Sequence, residues 1–165
     1  MSKRIILGTV LLTATVFSLL WFFWPSEEDR IREQFEELSD LASKPEDASP
    51  ISDALALKNF PDLFCKEVVL ETGSSKRLKG NYTNYELSNR YGRLRVLAKS
   101  LDLRFENLEF IFLKDDQAEV KVRVVASGTD NHGNGRGESF LAEVFLQKSE
   151  GKWRFARFTY LGSSA

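Results

Sequence analysis

The strongest feature of the hydrophobic pattern is a run of twenty residues, 5–24, without a charged side chain. As a helix rising about 1.5 Å per residue, this run would be about 30 Å long, the thickness of a bilayer's hydrocarbon core. It ends in aromatic residues at 21–24 (WFFW), whose rings favour the membrane–water interface. The pattern predicts an uncleaved transmembrane anchor. A cleaved signal peptide, whose apolar region is usually about 7–15 residues long, and a buried core helix are the alternatives.

The charges on either side of this run predict its orientation. Two basic residues precede it and three acidic residues follow it: Lys3, Arg4, Glu27, Glu28 and Asp29. Because basic flanks remain in the cytoplasm, residues 1–4 are a cytoplasmic tail and residues 26–162 form a domain on the other side of the membrane. In a bacterium this means a single-pass protein of the inner membrane with its domain in the periplasm or outside. A nucleic-acid partner is therefore not expected.

Helical spacing of apolar residues predicts that the soluble part begins with a helix over residues 27–43. Ser26 is its expected N-cap, with Asp29 at the third helical position. We expect Ile31, Phe35 and Leu38 to face the core, because residues three or four apart share one face of a helix.

Two further helices follow, over about residues 50–58 and 84–99. Ser49 and Pro50 are the start signals of the second helix, and Thr83 or Asn84 caps the third. The apolar residues expected to form their stripes are Ile51, Ala54, Leu55 and Leu57 in the second helix and Leu87, Tyr91, Leu94, Leu97 and Ala98 in the third.

Alternating apolar and polar residues predict strands before and after the third helix. The predicted strands cover residues 65–72, 103–113, 117–127, 138–148 and 152–161. The apolar phase changes near Asn107, which predicts a bulge or a strand that starts only there. Leu78 belongs either to a polar loop or to a short returning strand. Helices first and an antiparallel meander last indicate an α+β fold with the helices on one face of the sheet.

This order of elements resembles that of the nuclear transport factor 2-like superfamily, which includes SnoaL-like and ketosteroid-isomerase-like domains. The resemblance covers about residues 27–161 and rests on "LFCKEVVLETG" after two helices and on the closing "GKWRFARFTYLG", with Trp153 opening the last strand. The layout especially resembles that of small, uncharacterised, membrane-anchored bacterial members in which "PSEE" follows the anchor. The resemblance implies a cone-shaped domain of three helices packed on a curved antiparallel sheet.

Enzymes of this superfamily place Tyr, Asp or His in the pocket of the cone. The first helix of this chain instead offers Ile31, Phe35 and Leu38, so no catalytic residue is carried across from the family. The leading hypothesis is a noncatalytic domain that binds a protein partner or forms a homo-oligomer. Inner-membrane assembly components of type IV secretion systems resemble this layout, although their usual motifs are not evident here. The alternative is small-molecule binding, or an isomerase-like or dehydratase-like enzyme, in the pocket of the cone.

Residues with chemical potential are few, and we assign no catalytic, cofactor-binding or metal-binding residue. Cys65 lies beside an apolar run and is expected to be a buried structural thiol. The glycine-rich stretch 133–137 (GNGRG) joins two strands rather than a strand and a helix, which favours a hairpin over a phosphate loop. His132 and Asp130 form at most a weak metal site, and a solvated loop is the expected structure.

Two groups of residues are candidates for a pocket wall or rim. Arg157 and Tyr160 lie in the last strand and would suit an anionic ligand, although an outward-facing arginine is expected. Tyr82 and Tyr85 are candidates for a rim, whereas Tyr91 is expected in the core.

Charge is unevenly distributed along the chain. Residues 26–53 contain ten acidic and three basic side chains, and residues 76–104 contain eight basic and two acidic ones. We expect these regions to lie side by side and neutralise each other. A basic docking face for anionic lipid, glycan or a protein partner is the alternative.

Overall fold

The computed structural model describes residues 25–71 and 79–163. Its helices are α1 (Glu27–Ala42), α2 (Pro50–Asn59) and α3 (Asn84–Leu97), and a 3-10 turn, Phe60–Leu63, follows α2. Its strands are β1 (Phe64–Glu71), β2 (Gly80–Thr83), β3 (Ala98–Lys114), β4 (Gln117–Asp130), β5 (Gly135–Ser149) and β6 (Lys152–Ser163). The chain divides into a unit of residues 1–30 and a unit of residues 31–165, and the core described below belongs to the second unit.

All six strands form one sheet in the order β2-β1-β6-β5-β4-β3. Only β1 and β6 pair in parallel, and the remaining neighbours are antiparallel. The pairing of β3 with β4 shifts between Glu106 and Glu109, where Asn107 has a φ of 55°. The phase change near Asn107 is therefore a bulge, the first of the two predicted alternatives, and the strand does not start there but at Ala98. Bulges of this kind bend long strands, and the sheet is curved with the three helices on one face.

The core of the second unit lies between α1 and the concave face of the sheet. Ile31, Phe35 and Leu38 are buried in it, as their spacing predicted. In β4 and β5 every second residue faces inward, and these buried positions are filled by Ala118, Val120, Val122, Val124, Ala142, Val144 and Leu146. Trp153 and Phe155 continue this layer into β6.

Local signals explain where the helices begin. The Ser26 hydroxyl accepts a hydrogen bond from the Asp29 backbone N–H (3.1 Å), and an Asp29 carboxylate oxygen accepts one from the Ser26 N–H (3.0 Å). Thr83 and Glu86 form the same reciprocal box at the start of α3. Helix bounds agree with the sequence within two residues. The prediction that Ala98 belongs to a helix was wrong, because Ala98 opens β3.

The predicted apolar faces of α2 and α3 were partly wrong. In α2, Ala56 is buried, whereas Ile51 and Leu55 are exposed. In α3, the inward stripe is made by Leu87 and Tyr91, which pack against the core, and by the buried charged residue Arg95. Leu94 and Leu97 are exposed instead. Helical spacing identified which residues share a face but not which face turns inward.

Several predictions fall outside the described residues. These include the cytoplasmic tail 1–4, the anchor 5–24 and Leu78. A short returning strand, β2, does follow Leu78 in the chain and pairs with β1. Within residues 25–71 and 79–163, none of the helices combines the length and hydropathy that crossing a bilayer requires.

Candidate functional site

Aromatic rings fill the interior between α1 and the sheet. The ring of Phe35 makes edge-on contacts with those of Phe105 and Phe155, each at a centroid distance of 5.1 Å. Phe64 and Phe158 pack against Phe155 from β1 and β6, with centroids 5.8 and 5.4 Å away. Edge-on and tilted pairs of this kind add to the stabilisation that apolar burial provides. The concave face at this level is thus occupied by side chains of the protein itself.

A polar cluster lies at the ends of the helices, and we call Lys44, Asp53, Tyr91 and Arg95 the Arg95 cluster. The Arg95 Nε donates to Asp53 Oδ1 at 2.8 Å. The Arg95 Nη1 donates to the carbonyls of Leu41 and Ser43 at 3.1 and 2.8 Å and also to the Tyr91 hydroxyl. These bonds attach α3 to α2 and to the end of α1.

Lys44 completes the Arg95 cluster from the opposite direction. Its Nζ donates to the carbonyls of Arg95 and Ala98, at 2.9 and 2.8 Å. Arg95 therefore binds carbonyls at the end of α1, and Lys44 binds carbonyls at the end of α3. The last carbonyls of a helix carry partial negative charge and lack partners within the helix, so each cation lies where it stabilises a helix end.

Burial determines the chemistry of the Arg95 cluster. Arg95 is only 4% exposed, and burial raises the pKa of the Tyr91 phenol, although its hydrogen bond with Arg95 opposes this. No buried side-chain nitrogen or oxygen among the described residues lacks a hydrogen-bond partner. The donors of Arg95 are directed at protein oxygens. The cluster therefore joins three helices, which is a structural role.

The residues considered for a metal or phosphate site lie at the solvent-exposed connection between β4 and β5. His132 and Asp130 lie in the exposed turn between β4 and β5, where Asp130 Oδ1 accepts hydrogen bonds from the backbone N–H groups of His132 and Asn134. Hydrogen bonds from Asn134 lower the pKa of Asp130. Residues 135–137 of the glycine-rich stretch pair with β4, which confirms the hairpin. Within the part that the structure describes, no three His, Cys, Asp or Glu residues are grouped as metal ligands.

The remaining candidates are also dispersed. Cys65 is half-buried rather than fully buried, and burial raises the pKa of its thiol. Arg157 pairs with Glu119 at 3.5 Å, and both side chains are partly exposed, as expected for an outward arginine. The Tyr160 ring instead packs beside Phe140. Tyr91 lies against the core as predicted.

A surface depression lined by apolar and polar side chains lies between α2 and α3, and we call it the α2–α3 groove. Its volume is about 980 Å³. Its lining residues come from both helices: Ala54, Leu57, Lys58, Ser88, Asn89, Gly92, Arg93, Val96 and Leu97. Gly92 lets the helices approach closely, because a Cβ there would lie 3.3 Å from Leu57 Cδ2. The sequence pattern placed Ala54, Leu57 and Leu97 among the apolar residues of their helices and did not predict this surface.

No protein-family model matches the sequence, and no curated protein matches it. Solved structures do match. A candidate aromatic ring hydroxylase from Novosphingobium aromaticivorans superposes with a TM-score of 0.66 and 12% identity, covering 82% of this chain and 88% of that one. A candidate scytalone dehydratase from the same species superposes with a TM-score of 0.63 and 13% identity, covering 84% of this chain and 85% of that one. The chain has the nuclear transport factor 2-like fold.

Members of this fold differ in what they do, as a third similar structure illustrates. A candidate calcium/calmodulin-dependent protein kinase II association domain from Xanthomonas campestris superposes with a TM-score of 0.59 and 15% identity, covering 83% of this chain and 88% of its own. Identities this low show a shared nuclear transport factor 2-like fold alone, and the functions of these proteins do not transfer with it.

Proposed function

We propose that this chain is a single-pass membrane protein whose domain, residues 26–162, binds another protein outside the cytoplasm. The observation that carries this proposal is the placement of apolar side chains. Rings of α1 and the sheet fill the interior, while Ile51, Val96 and Leu97 on α2 and α3 are exposed. Exposed apolar patches mark protein–protein or membrane interaction sites or ligand-binding grooves, and the filled interior favours association here.

The membrane part of the proposal rests on the sequence. Residues 5–24 have the length and hydropathy of an anchor, and the charges beside them favour a cytoplasmic amino terminus. Residues 26–162 would then lie in the periplasm, or outside the cell, of a bacterium. A tethered domain meets its partners at a raised local concentration, so even a modest affinity suffices for assembly at the membrane.

The alternative is a small-molecule site, for which the best location is the depression between α1 and β3. Its volume is about 550 Å³, and Phe35 and Phe105 contribute to its lining. The charged side chains around it are Arg32, Glu36, Asp40, Arg104 and Glu106. Glu36 and Asp40 are exposed to solvent, whereas an acid–base pair in a dry catalytic site is tuned by burial. This depression therefore favours the enzyme hypothesis less than the exposed apolar surface favours association.

Chemical crosslinking in native membranes, followed by purification of the tagged full-length chain, tests the proposal. We expect a specific adduct with a second protein, absent when residues 26–165 are replaced by an unrelated domain behind the same anchor. Turnover of a small molecule by the purified chain, abolished by one substitution in the α1–β3 depression, would support the alternative instead.

A further inference from the structure

The outward side of α2 has the pattern of a helix that packs against another helix. Ile51, Ala54, Leu55 and Lys58 are spaced i, i+3, i+4 and i+7, so they lie along one face. This face is turned to solvent, with Ile51 74% exposed. Such a stripe normally covers a core, and here the described residues leave it uncovered.

The facing wall of the groove comes from the end of α3. Val96 and Leu97 line the groove and are 74% and 67% exposed. With Ala54, Leu57 and Lys58 of α2 they border a depression of about 980 Å³. An amphipathic helix that lays its apolar face between two helices is a recurring mode of recognition and suits this shape.

Two cations identify the charge of the expected occupant. Lys58 and Arg93 line the groove, and no acidic residue does. Among the described residues, neither has a carboxylate within ion-pair distance. The neighbouring cations Arg95 and Lys99 are instead paired with Asp53 and Glu46, at 2.8 and 2.5 Å. The groove therefore presents positive charge beside apolar side chains, which is complementary to an acidic amphipathic segment.

We infer that the α2–α3 groove binds a helix of a partner protein whose apolar stripe is flanked by acidic residues. This inference rests on the proposed function and identifies its surface and its class of partner. A second copy of this chain fits less well, because a twofold axis through the groove would bring Lys58 and Arg93 against their own copies. A partner strand also fits less well, because helices offer no unpaired backbone edge.

Photocrosslinking from inside the groove tests this inference in the full-length chain. A photoreactive phenylalanine analogue would replace Val96, whose side chain is exposed and so tolerates the change. The matched control replaces Ile111, an exposed apolar residue on β3 that does not line the groove. After irradiation of cells in native membranes, mass spectrometry identifies the crosslinked segment.

We expect Val96, but not Ile111, to crosslink to an acidic amphipathic helix of another protein. The double variant Lys58→Glu with Arg93→Glu should reduce that adduct at least tenfold, whereas Lys58→Arg should leave it unchanged. An adduct with lipid or with a second copy, or an adduct insensitive to the double charge reversal, would overturn the inference.

The outcomes also separate this inference from the proposed function. A protein adduct from Ile111 but none from Val96 would contradict the α2–α3 groove as the binding surface, while the proposal that the domain binds a protein would stand. If neither position, nor chemical crosslinking of the wild-type chain, yields a protein adduct, both ideas are wrong.

Discussion

The Arg95 guanidinium lies 2.8 Å from the Asp53 carboxylate, and this ion pair joins α3 to α2. Arg95 is nearly inaccessible to water, whereas Asp53 retains partial exposure. Removing an arginine from water costs free energy that only a complete set of acceptors can offset. Asp53 and the carbonyls of Leu41 and Ser43 supply those acceptors, so the pair and the helix ends depend on one another.

Replacing Arg95 by Met should destabilise the domain by about 3 kcal/mol, because Asp53 and the carbonyls at the end of α1 would lose their buried partner. Urea unfolding of the domain released by removing residues 1–25 measures this. Arg104→Met is the matched control, since Arg104 pairs with Asp102 at 3.0 Å on the exposed surface. That variant should lose less than about 1 kcal/mol. Equal losses would show that Arg95 has no special structural role.

Phe35→Ala should cost about 3–5 kcal/mol of unfolding free energy, because the ring is buried and contacts the rings of Phe105 and Phe155. Ile111→Ala, at an exposed position, should cost less than about 1 kcal/mol. The same urea assay compares the two variants. A small loss for Phe35→Ala would mean that the interior is not packed as described.

Tyr91 should give the domain a late tyrosinate transition. Burial raises the pKa of its phenol above the ordinary value of about 10. The neutral phenol is thus favoured in the folded state. The stabilisation that comes from keeping the phenol neutral is fully present below about pH 10 and is lost as the pH rises through the higher pKa of the folded state. Absorbance at 295 nm measures the titration. Tyr91→Phe should remove the late transition, whereas Tyr85→Phe, at an exposed ring, should leave it in place.

The sequence predicted most of the elements because their local signals are strong. The Ser26 and Thr83 caps and the alternation from Ala118 to Val124 each depend on neighbours within a few residues. The parallel pairing of β1 with β6 was not predicted, because it joins strands far apart in the chain. No local pattern specifies such a partner.

The candidate site was harder to predict. The spacing of apolar residues shows which residues share a face of a helix, but it does not show whether that face points to the core or to solvent. Extending Leu87 and Tyr91 by four residues leads to Arg95, which the prediction passed over because it selected apolar residues only. Likewise, Ile51 and Leu55 are correctly spaced for a helix face, but Ala56 and Asp53 lie on the inner side of α2. The ion pair of Asp53 with Arg95 lies on that inner side, and the spacing of apolar residues does not report it.

A reporter that is active only outside the cytoplasm should function when fused after Ala165. The predicted anchor 5–24 and the basic residues before it give this orientation. Removing residues 1–25 should yield a soluble, folded domain, as circular dichroism and gel filtration would show. Activity from a cytoplasmic reporter at the same position would contradict the orientation and reopen the question of a nucleic-acid partner.

A membrane-impermeant amine-reactive crosslinker, applied to spheroplasts of bacteria that produce the full-length chain, tests the proposal of a tethered, extracytoplasmic binding domain most directly. We expect a covalent adduct between this chain and a second protein in intact spheroplasts, formed through the amine of Lys58 at the α2–α3 groove. This adduct should be lost in Lys58→Arg, because arginine lacks the reactive amine. An adduct that forms only after the membrane is permeabilised, or no adduct with any protein, would contradict the proposal.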